Sequence, residues 1–204
     1  PDLDWAIRDR VDRVKEDVLI ELKKAGCYRI HCGVESGSDR VLKLIKKNIT
    51  TDQVREAIKC AKKYSFVILT YFMFGLPGET LEDAYQTIDF ALELDTDYAE
   101  FSITIPYPGT EAYENALKQK IIPVDYWLNF TMNPTPSFQI PYVIENLISK
   151  EKLIKLRDES VKRFYFRLGY MFNEFKKIRT LTEFLQKFKM GFGLFNLIRG
   201  EYTR

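Results

Sequence analysis

Residues 66–80 read FVILTYFMFGLPGET, and this stretch decides the fold class. The β-branched and aromatic run from Phe66 to Phe74 is almost free of polar side chains, which is typical of a strand buried on both faces of a parallel sheet. A turn rich in glycine and proline follows, and Thr80 is suited to cap a helix over Leu81–Leu94. A strand, a polar turn and a helix in this order indicate an α/β protein built from βαβ units.

The same unit recurs on both sides of this stretch. Residues 28–38, YRIHCGVESGS, predict a strand that ends in a polar turn, and residues 98–110, YAEFSITIPYPGT, predict another. Apolar residues at helical spacing predict the helices Asp4–Ala25, Asp39–Lys47, Thr51–Tyr64 and Glu111–Lys120. Short loops between these elements indicate parallel strands, so the turns GVESGS, GLPGET and PYPGT meet at the carboxyl edge of one sheet.

The alternation of strands and helices stops after Pro123, and a helix is next predicted over residues 148–172. We therefore divide the chain into an alternating part (1–122), an irregular connection (123–147) and a helical C-terminal extension (148–204). An eight-fold barrel needs about 250 residues, so three predicted strands amount to part of one. The predicted fold class is α/β, a partial (βα) TIM-like barrel with a helical C-terminal extension.

Composition restricts the class of protein. A hydrophobic content of 46% in 204 residues is enough for a core, and a net charge of +2 argues against a general nucleic-acid binder. The longest apolar run is too short to span a bilayer, and no secretory leader is predicted. Three cysteines, an odd number, favour a reducing cytoplasmic location. Because the first residue is Pro1 and not Met, we expect a piece of a longer protein.

Each strand-end turn offers polar or aromatic groups with two interpretations. Glu35 is placed to accept hydrogen bonds from a ligand, or else to cap its helix or pair with Lys46 or Lys47. The turn GLPGET is equally explained as a bend between strand and helix. Tyr107 is placed to stack on a flat ligand, or to cover the mouth of the barrel. No single turn decides between a structural and a binding role.

The thiols and the histidine predict no metal site. Cys27, Cys32 and Cys60 are separated by four and twenty-seven residues, a spacing that suits neither a zinc knuckle nor an iron–sulfur loop. They are expected to be structural thiols. His31, the only histidine, lies within a predicted strand and is expected to pack or bond locally.

Taken together, the runs GCYRIHCGVESGSDRVLKLIKKNIT, YFMFGLPGET and ITIPYPGT resemble the second half of a radical S-adenosylmethionine (SAM) enzyme barrel. The resemblance is closest to the subfamily that carries an upstream cobalamin-binding domain. The later FYFRLGYMFNEFKKI is similar to that subfamily's C-terminal helical region. The resemblance implies a six-unit barrel of which this chain holds the fourth to sixth strands.

The resemblance also implies the chemistry of the full-length parent. Such an enzyme reductively cleaves SAM at a [4Fe-4S] cluster, with electrons from an external donor, for radical-based modification or methylation of a small molecule. Cobalamin is a further cofactor that the subfamily allows. The parent would also need the N-terminal half of the barrel, which is missing here. The substrate is not specified, and a lipid-like molecule is one option.

By the same resemblance, three strand ends contribute to SAM binding. The fourth-strand exit supplies Glu35, with Ser36 beside it, to the ribose or methionyl end of SAM. Lys47, next to Lys46, would meet the SAM carboxylate. The later exits, Phe74 with Gly75 and Pro106 with Tyr107, would form an apolar and backbone wall for adenine.

The chain departs from the family in lacking the C-x-x-x-C-x-x-C motif that binds the cluster. We therefore expect it to be inactive alone, with no catalytic residue, no metal ligand and no firmly bound cofactor. The rival hypothesis is a non-catalytic binding or interaction module with a half-barrel fold that has lost the cluster.

Residues 161–204 hold ten Lys and Arg against three Asp and Glu, interleaved with aromatic residues. Three roles are open for this basic segment. It could cover the open side of the barrel, lie on an anionic membrane surface as part of a peripheral protein, or contact RNA. The composition gives no clear nucleic-acid partner.

Overall fold

The computed structural model describes residues 3–138, 147–176 and 178–198, and the end of the predicted extension, 199–204, lies outside them. Within this part of the chain, four strands form one parallel sheet in the order β1-β2-β3-β4. The strands are β1 Trp5–Arg10, β2 Cys27–Glu35, β3 Val67–Phe74 and β4 Tyr98–Ile103. The α/β fold class predicted from the sequence is confirmed.

The helix predicted over Asp4–Ala25 is wrong in its first half. Trp5–Arg10 is a strand that pairs with β2, a 3₁₀ turn follows at Val11–Arg13, and only Glu16–Lys24 is helical (α1). The apolar residues Trp5, Ile7 and Val11 fit the alternation of a strand as well as the spacing of a helix. Pairing with β2 decides in favour of the strand. The three strands expected from the sequence are β2 to β4, and β1 precedes them.

Helices follow the strand-end turns. They are α2 Asp39–Leu44, α3 Thr51–Lys63, α4 Leu81–Leu94, α5 Glu111–Lys118 and α6 Tyr126–Met132, and the later helices are α7 Lys150–Tyr165, α8 Leu168–Lys176 and α9 Leu181–Ile198. Side chains cap most helix starts: Ser38, Thr50, Thr80 and Thr110 each accept a hydrogen bond from a backbone N–H of the first turn. These caps satisfy backbone N–H groups that have no partner within the helix. They thereby fix the residue at which each helix begins.

One face of the sheet packs against helices and makes the core. On β3, Ile68, Thr70, Phe72 and Phe74 are fully buried, whereas the alternate side chains are partly exposed. The expectation that this strand is buried on both faces is therefore met on one face only. Helices α1, α3, α4 and α7 contact the strands. On the second face of the sheet, the side chains of β2 and β3 are mostly partly exposed.

Helix α7 covers the β4 side of the sheet. Leu153, Leu156 and Phe164 are buried in the core, and the Tyr165 hydroxyl accepts from the Ala99 N–H and donates to the Ala99 carbonyl. The edge of β4 is thus hydrogen-bonded near its start, which protects part of an edge that could otherwise pair with another strand. Because most of α7 precedes the basic segment 161–204, the covering role expected of that segment stays a prediction.

Helices α8 and α9 are different, because they expose apolar side chains. The helix predicted over residues 148–172 is interrupted after Tyr165, and α8 begins at Leu168. Phe172, Phe175 and Phe188 are each at least 60% exposed. No helix in the described ranges is long and apolar enough to cross a membrane.

Candidate functional site

The candidate site lies where β2, β3 and β4 end. Because the strands are parallel, the turns after Glu35, Phe74 and Ile103 leave the sheet at the same edge. Glu35 has a left-handed backbone (φ +72°) at an irregularity in the β2–β3 register. The sheet is therefore distorted where the first candidate carboxylate stands, and such irregularities redirect a side chain.

Glu35 and Lys47 form an ion pair at this edge. Lys47 Nζ lies 2.8 Å from Glu35 Oε1, and the side chains are only 15% and 20% exposed. Of the alternatives open from the sequence, pairing with Lys47 is the one found, while Lys46 pairs with Glu111 at the surface. The two residues predicted to bind SAM, Glu35 at its ribose or methionyl end and Lys47 at its carboxylate, thus lie side by side.

Local backbone geometry brings Lys47 to Glu35. Helix α2 ends at Leu44, three residues earlier than predicted, and Lys46 then takes a left-handed conformation (φ +57°). The Lys47 carbonyl accepts a hydrogen bond of 2.7 Å from Arg10 Nη2 at the end of β1. Arg10 therefore positions Lys47, a role that sequence analysis missed because it assigned Arg10 to a helix.

Gly33 makes room for the pair. A Cβ at this position would lie 2.7 Å from Glu35 Oε1 and 3.2 Å from Lys47 Nζ. An amino-acid ligand carries an ammonium group and a carboxylate, which match the two partners of this ion pair. The pair at the end of β2 therefore matches the methionyl end of SAM in charge, and its role in binding SAM stays a prediction.

Of the other predicted binding residues, three are buried and the fourth, Tyr107, stacks on a neighbouring ring. Ser36 is fully buried and its hydroxyl lies 3.1 Å from that of Thr87, and Phe74 is fully buried. Pro106 is buried too and its carbonyl accepts from Trp127 Nε1. Tyr107 is 52% exposed and stacks on Trp127 with ring centres 5.5 Å apart. A contact of Ser36 or Phe74 with a ligand would come through the backbone, and the binding roles of all four stay predictions.

A buried carboxyl supports the turn after β3. Gly75, another predicted binding residue, and Leu76 donate their N–H groups to Glu79 Oε2 at 2.6 Å and 3.3 Å, and Glu79 is 1% exposed. Its other oxygen, Oε1, has no hydrogen-bond partner among the described residues. Burial raises the pKa of Glu79 to about 7. Sequence analysis treated this residue as part of a bend and missed its burial.

We predict a pH-dependent effect of Glu79→Gln on stability. The pKa of Glu79 is raised on folding, so its contribution to stability is fully present below the unfolded pKa and is lost as pH rises towards 7. Gln has no such charge. Between pH 5 and pH 8, the free energy of unfolding of Glu79→Gln should gain about 2–3 kcal/mol relative to wild type. Urea unfolding at both pH values measures this, and a difference independent of pH would contradict it.

The thiols do not fit an iron–sulfur cluster. Cys27 and Cys32 are buried, Cys60 is half-buried, and burial raises the pKa of Cys32 to about 12. Cys27 and Cys32 are also packed in the hydrophobic core, which leaves no room for a cluster beside them. In the described ranges no three His, Cys, Asp or Glu side chains come together as a metal site. His31 bonds locally to Tyr71, as predicted.

Comparisons with known proteins agree with the family resemblance seen in the sequence. A sequence profile described as "Radical SAM superfamily" matches residues 6–91, which include most of β1, all of β2 and β3, and most of α4. The "Uncharacterized methyltransferase PH0819" of Pyrococcus horikoshii is 36% identical over 166 residues, which cover 81% of this chain and 35% of that protein. The "Putative methylthiotransferase MJ0865" of Methanocaldococcus jannaschii is 36% identical over 102 residues, 50% of this chain and 23% of that protein. The chain thus spans about a third or less of these two relatives.

Solved structures agree on the fold. The radical S-adenosylmethionine methyltransferase TsrM from Kitasatospora setae superposes with a TM-score of 0.53 and 21% identity, covering 57% of this chain and 23% of that one. Coproporphyrinogen III oxidase (HemN) from Escherichia coli gives a TM-score of 0.51 at 22% identity, covering 56% of this chain and 26% of that one. At this identity the likeness concerns the fold alone.

Proposed function

We propose that this chain belongs to the radical SAM superfamily and that it forms part of the SAM-binding wall of a longer enzyme that reductively cleaves SAM. The observation that carries the proposal is the half-buried pair of Glu35 and Lys47 at the carboxyl end of β2. In parallel α/β sheets, ligands bind at this edge. The pair also falls inside the region that matches the superfamily.

In this proposal, Glu35 and Lys47 exchange their mutual contact for contacts with SAM. The Lys47 ammonium would bind the methionyl carboxylate, and the Glu35 carboxylate would accept from the amino group or a ribose hydroxyl. Arg10 would hold Lys47 in place by donating a hydrogen bond to the Lys47 carbonyl. SAM, when bound, supplies an activated carbon on its sulfonium. The chain's own share is to orient SAM and to keep water from the pair.

We propose that a different part of the longer enzyme binds the [4Fe-4S] cluster, because the three thiols here are buried or half-buried and lack the spacing of the C-x-x-x-C-x-x-C motif. We propose that this chain alone is inactive and that the longer protein provides the cluster ligands and the rest of the barrel. An external electron donor is part of the same proposal. Three free thiols support a reducing, cytoplasmic location.

Methylation of a small molecule is the reaction we favour. Names of relatives support it: besides PH0819, the cytidylyl-2-hydroxyethylphosphonate methyltransferase of Streptomyces wedmorensis is 29% identical over 117 residues, 22% of that protein. A structure of TsrM with cobalamin and a [4Fe-4S] cluster bound resembles the fold with a TM-score of 0.53, so cobalamin is a further cofactor in this proposal. The rival is a non-catalytic module, which would lack cluster cysteines in the longer protein.

SAM turnover by the full-length protein tests the proposal. The protein is reconstituted anaerobically with iron and sulfide, reduced, and mixed with SAM. We expect methionine and 5′-deoxyadenosine, or S-adenosylhomocysteine if methyl transfer is direct, as products measured by mass spectrometry. A matched sample in which the upstream cluster cysteines are replaced by alanine should give none. Full-length protein that has no such cysteines, or that leaves SAM intact, would favour the non-catalytic module.

The exposed helices α8 and α9 lead to a separate prediction, that this segment lies on an anionic membrane surface. Residues 161–204 carry ten basic and three acidic residues, and Phe172 and Phe175 are 60% and 65% exposed. Basic segments with exposed aromatic rings bind anionic lipid. The full-length protein should co-sediment with phosphatidylcholine–phosphatidylserine vesicles at least about tenfold more than with phosphatidylcholine alone.

The double variant Phe172→Glu with Phe175→Glu should abolish this co-sedimentation. Met132→Glu is the matched control, because Met132 is 79% exposed on α6, outside the basic segment. Equal sedimentation with both kinds of vesicle, or retention of binding by the double variant, would contradict the prediction. A soluble complex with another protein would then be the explanation of the apolar surface.

A further inference from the structure

The sheet face opposite the helices carries a row of hydrogen-bonded polar side chains. Arg8 and His31 are register neighbours on β1 and β2, and both reach Tyr71 on β3. Arg8 Nη2 donates to the Tyr71 hydroxyl at 2.8 Å, and His31 Nδ1 lies 2.9 Å from the same oxygen. These three side chains link three strands.

The hydrogen bonds of Tyr71 determine which groups of His31 are free. Because the Tyr71 oxygen accepts from Arg8, its own proton is available for Nδ1 of His31. A neutral imidazole that accepts at Nδ1 carries its proton on Nε2. That Nε2 is buried and has no hydrogen-bond partner among the residues that the structure describes. We assign this tautomer to His31, which then presents an unused N–H donor.

Burial and the charges around His31 favour its neutral form. Its pKa is lowered, first by burial and then by the positive charge of Arg29 and of Arg8. The exposed Glu100 carboxylate on β4 opposes the shift without reversing it. Groups from all four strands thus act on the imidazole, and the cationic ones prevail.

Arg29 adds a second unused donor. Its Nε is buried without a hydrogen-bond partner in the described part of the chain, and its guanidinium lies 5.1 Å and 5.6 Å from the ring centres of Tyr28 and Tyr98. Within the described ranges, neither Arg29 nor Arg8 forms an ion pair with a carboxylate. A buried donor without an acceptor costs free energy, so a ligand that brings an acceptor to this face would be stabilised there.

We infer that Arg8, Arg29, His31 and Tyr71 bind an anionic group of the substrate, a carboxylate or a phosphate. The unused groups of this sheet-face cluster are all donors, and the two guanidinium groups add positive charge. Guanidinium groups recognise planar and tetrahedral oxyanions well. The inference rests on the proposed function, since it names the substrate class of the same barrel.

The sheet-face cluster is separate from the predicted SAM pair. His31 precedes Glu35 by four residues on β2, which corresponds to about 13 Å along a strand. A substrate held by its anionic group at the cluster would extend towards the strand ends. Its far end would then lie near Glu35 and Lys47, where SAM is proposed to bind.

The unique histidine provides the experiment. In this 204-residue chain His31 is the only histidine, so the imidazole ¹⁵N signals need no assignment. The probes are inorganic phosphate and acetate, added at constant ionic strength. We expect a saturable shift of the Nε2 signal and a rise in the pKa of His31 at saturation, because a bound anion favours the imidazolium. The tighter of the two probes identifies phosphate or carboxylate as the preferred group.

Arg8→Gln and Arg29→Gln should each weaken binding of the better probe at least about tenfold. Arg55→Gln is the matched control, because Arg55 is a surface residue paired with Glu93 and Asp52. Arg8 is exposed, so its variant is expected to fold even if the Arg29 variant does not. A linear, unsaturated shift, or binding by Arg8→Gln as tight as in Arg55→Gln, would overturn the inference.

SAM binding separates this inference from the proposed function. In the full-length protein, Arg8→Gln should bind SAM as wild type does, because the Arg8 guanidinium bonds Tyr71 and contacts neither member of the Glu35–Lys47 pair. Anion binding without SAM binding would remove the proposed function and leave an anion site. SAM binding without anion binding would remove the sheet-face cluster alone.

Discussion

Gly37→Ala is expected to lower the free energy of unfolding strongly. A Cβ on Gly37 would lie 2.6 Å from Phe90 Cβ, 2.7 Å from the Gln86 carbonyl oxygen and 2.8 Å from Thr87 Cα. Two of these atoms belong to the backbone of α4, so a rotamer change cannot relieve the clash. The expected loss is about 3 kcal/mol or more in the free energy of unfolding.

The close approach of Gly37 to α4 also holds the β2 turn. The Gly37 N–H donates to Thr87 Oγ1 at 2.9 Å, and Ser36 contacts the same hydroxyl. Displacement of the turn would break both bonds in a buried place, where each counts for about 1 kcal/mol. Urea denaturation followed by circular dichroism measures the loss.

Gly169→Ala is the matched control for that experiment. Gly169 lies on α8, where an added Cβ meets no atom within 4 Å, so alanine should be neutral or slightly stabilising. Equal stability of the two variants would show that the β2 turn does not pack on α4 in this way.

Glu35→Ala and Lys47→Ala are expected to have the largest effects on SAM binding. Each change removes one half of a half-buried ion pair and leaves the other charge without its partner. Each should weaken SAM binding by the reconstituted full-length protein at least about tenfold, and the double variant by about a hundredfold. Calorimetry measures the affinities, and a thermal melt of each variant shows that it folds.

Lys46→Ala provides the comparison for Lys47→Ala. The two lysines are adjacent, but Lys46 is 69% exposed and pairs with Glu111 at the surface. Its loss should leave SAM affinity unchanged. If the double variant Glu35→Ala with Lys47→Ala bound SAM as tightly as wild type, the pair would have no part in binding.

The parts of the fold governed by local sequence were predictable. The run FVILTYFMF specified β3, and Ser38 and Thr80 marked the starts of α2 and α4 because capping depends on neighbouring backbone N–H groups. The order of strand, turn and helix then specified parallel strands. The fold class and the edge that carries the site follow from these local signals.

Features that depend on distant residues could not be predicted in the same way. Trp5–Arg10 becomes a strand because β2 offers a partner, and its own pattern fits a helix equally well. Arg8 meets Tyr71 across sixty-three residues, and Arg10 meets Lys47 across thirty-seven. The choice of Lys47 over Lys46 depends on a left-handed residue after α2. Spacing in the sequence holds no sign of these contacts.

A crystal structure of the full-length protein with SAM bound tests the central claim most directly. The account predicts that the SAM carboxylate lies within hydrogen-bond distance of Lys47 Nζ, and that the SAM amino group or a ribose hydroxyl contacts Glu35. The 2.8 Å contact between the two side chains would then be replaced by contacts with the ligand. SAM bound elsewhere, with the Glu35–Lys47 pair intact, would contradict it.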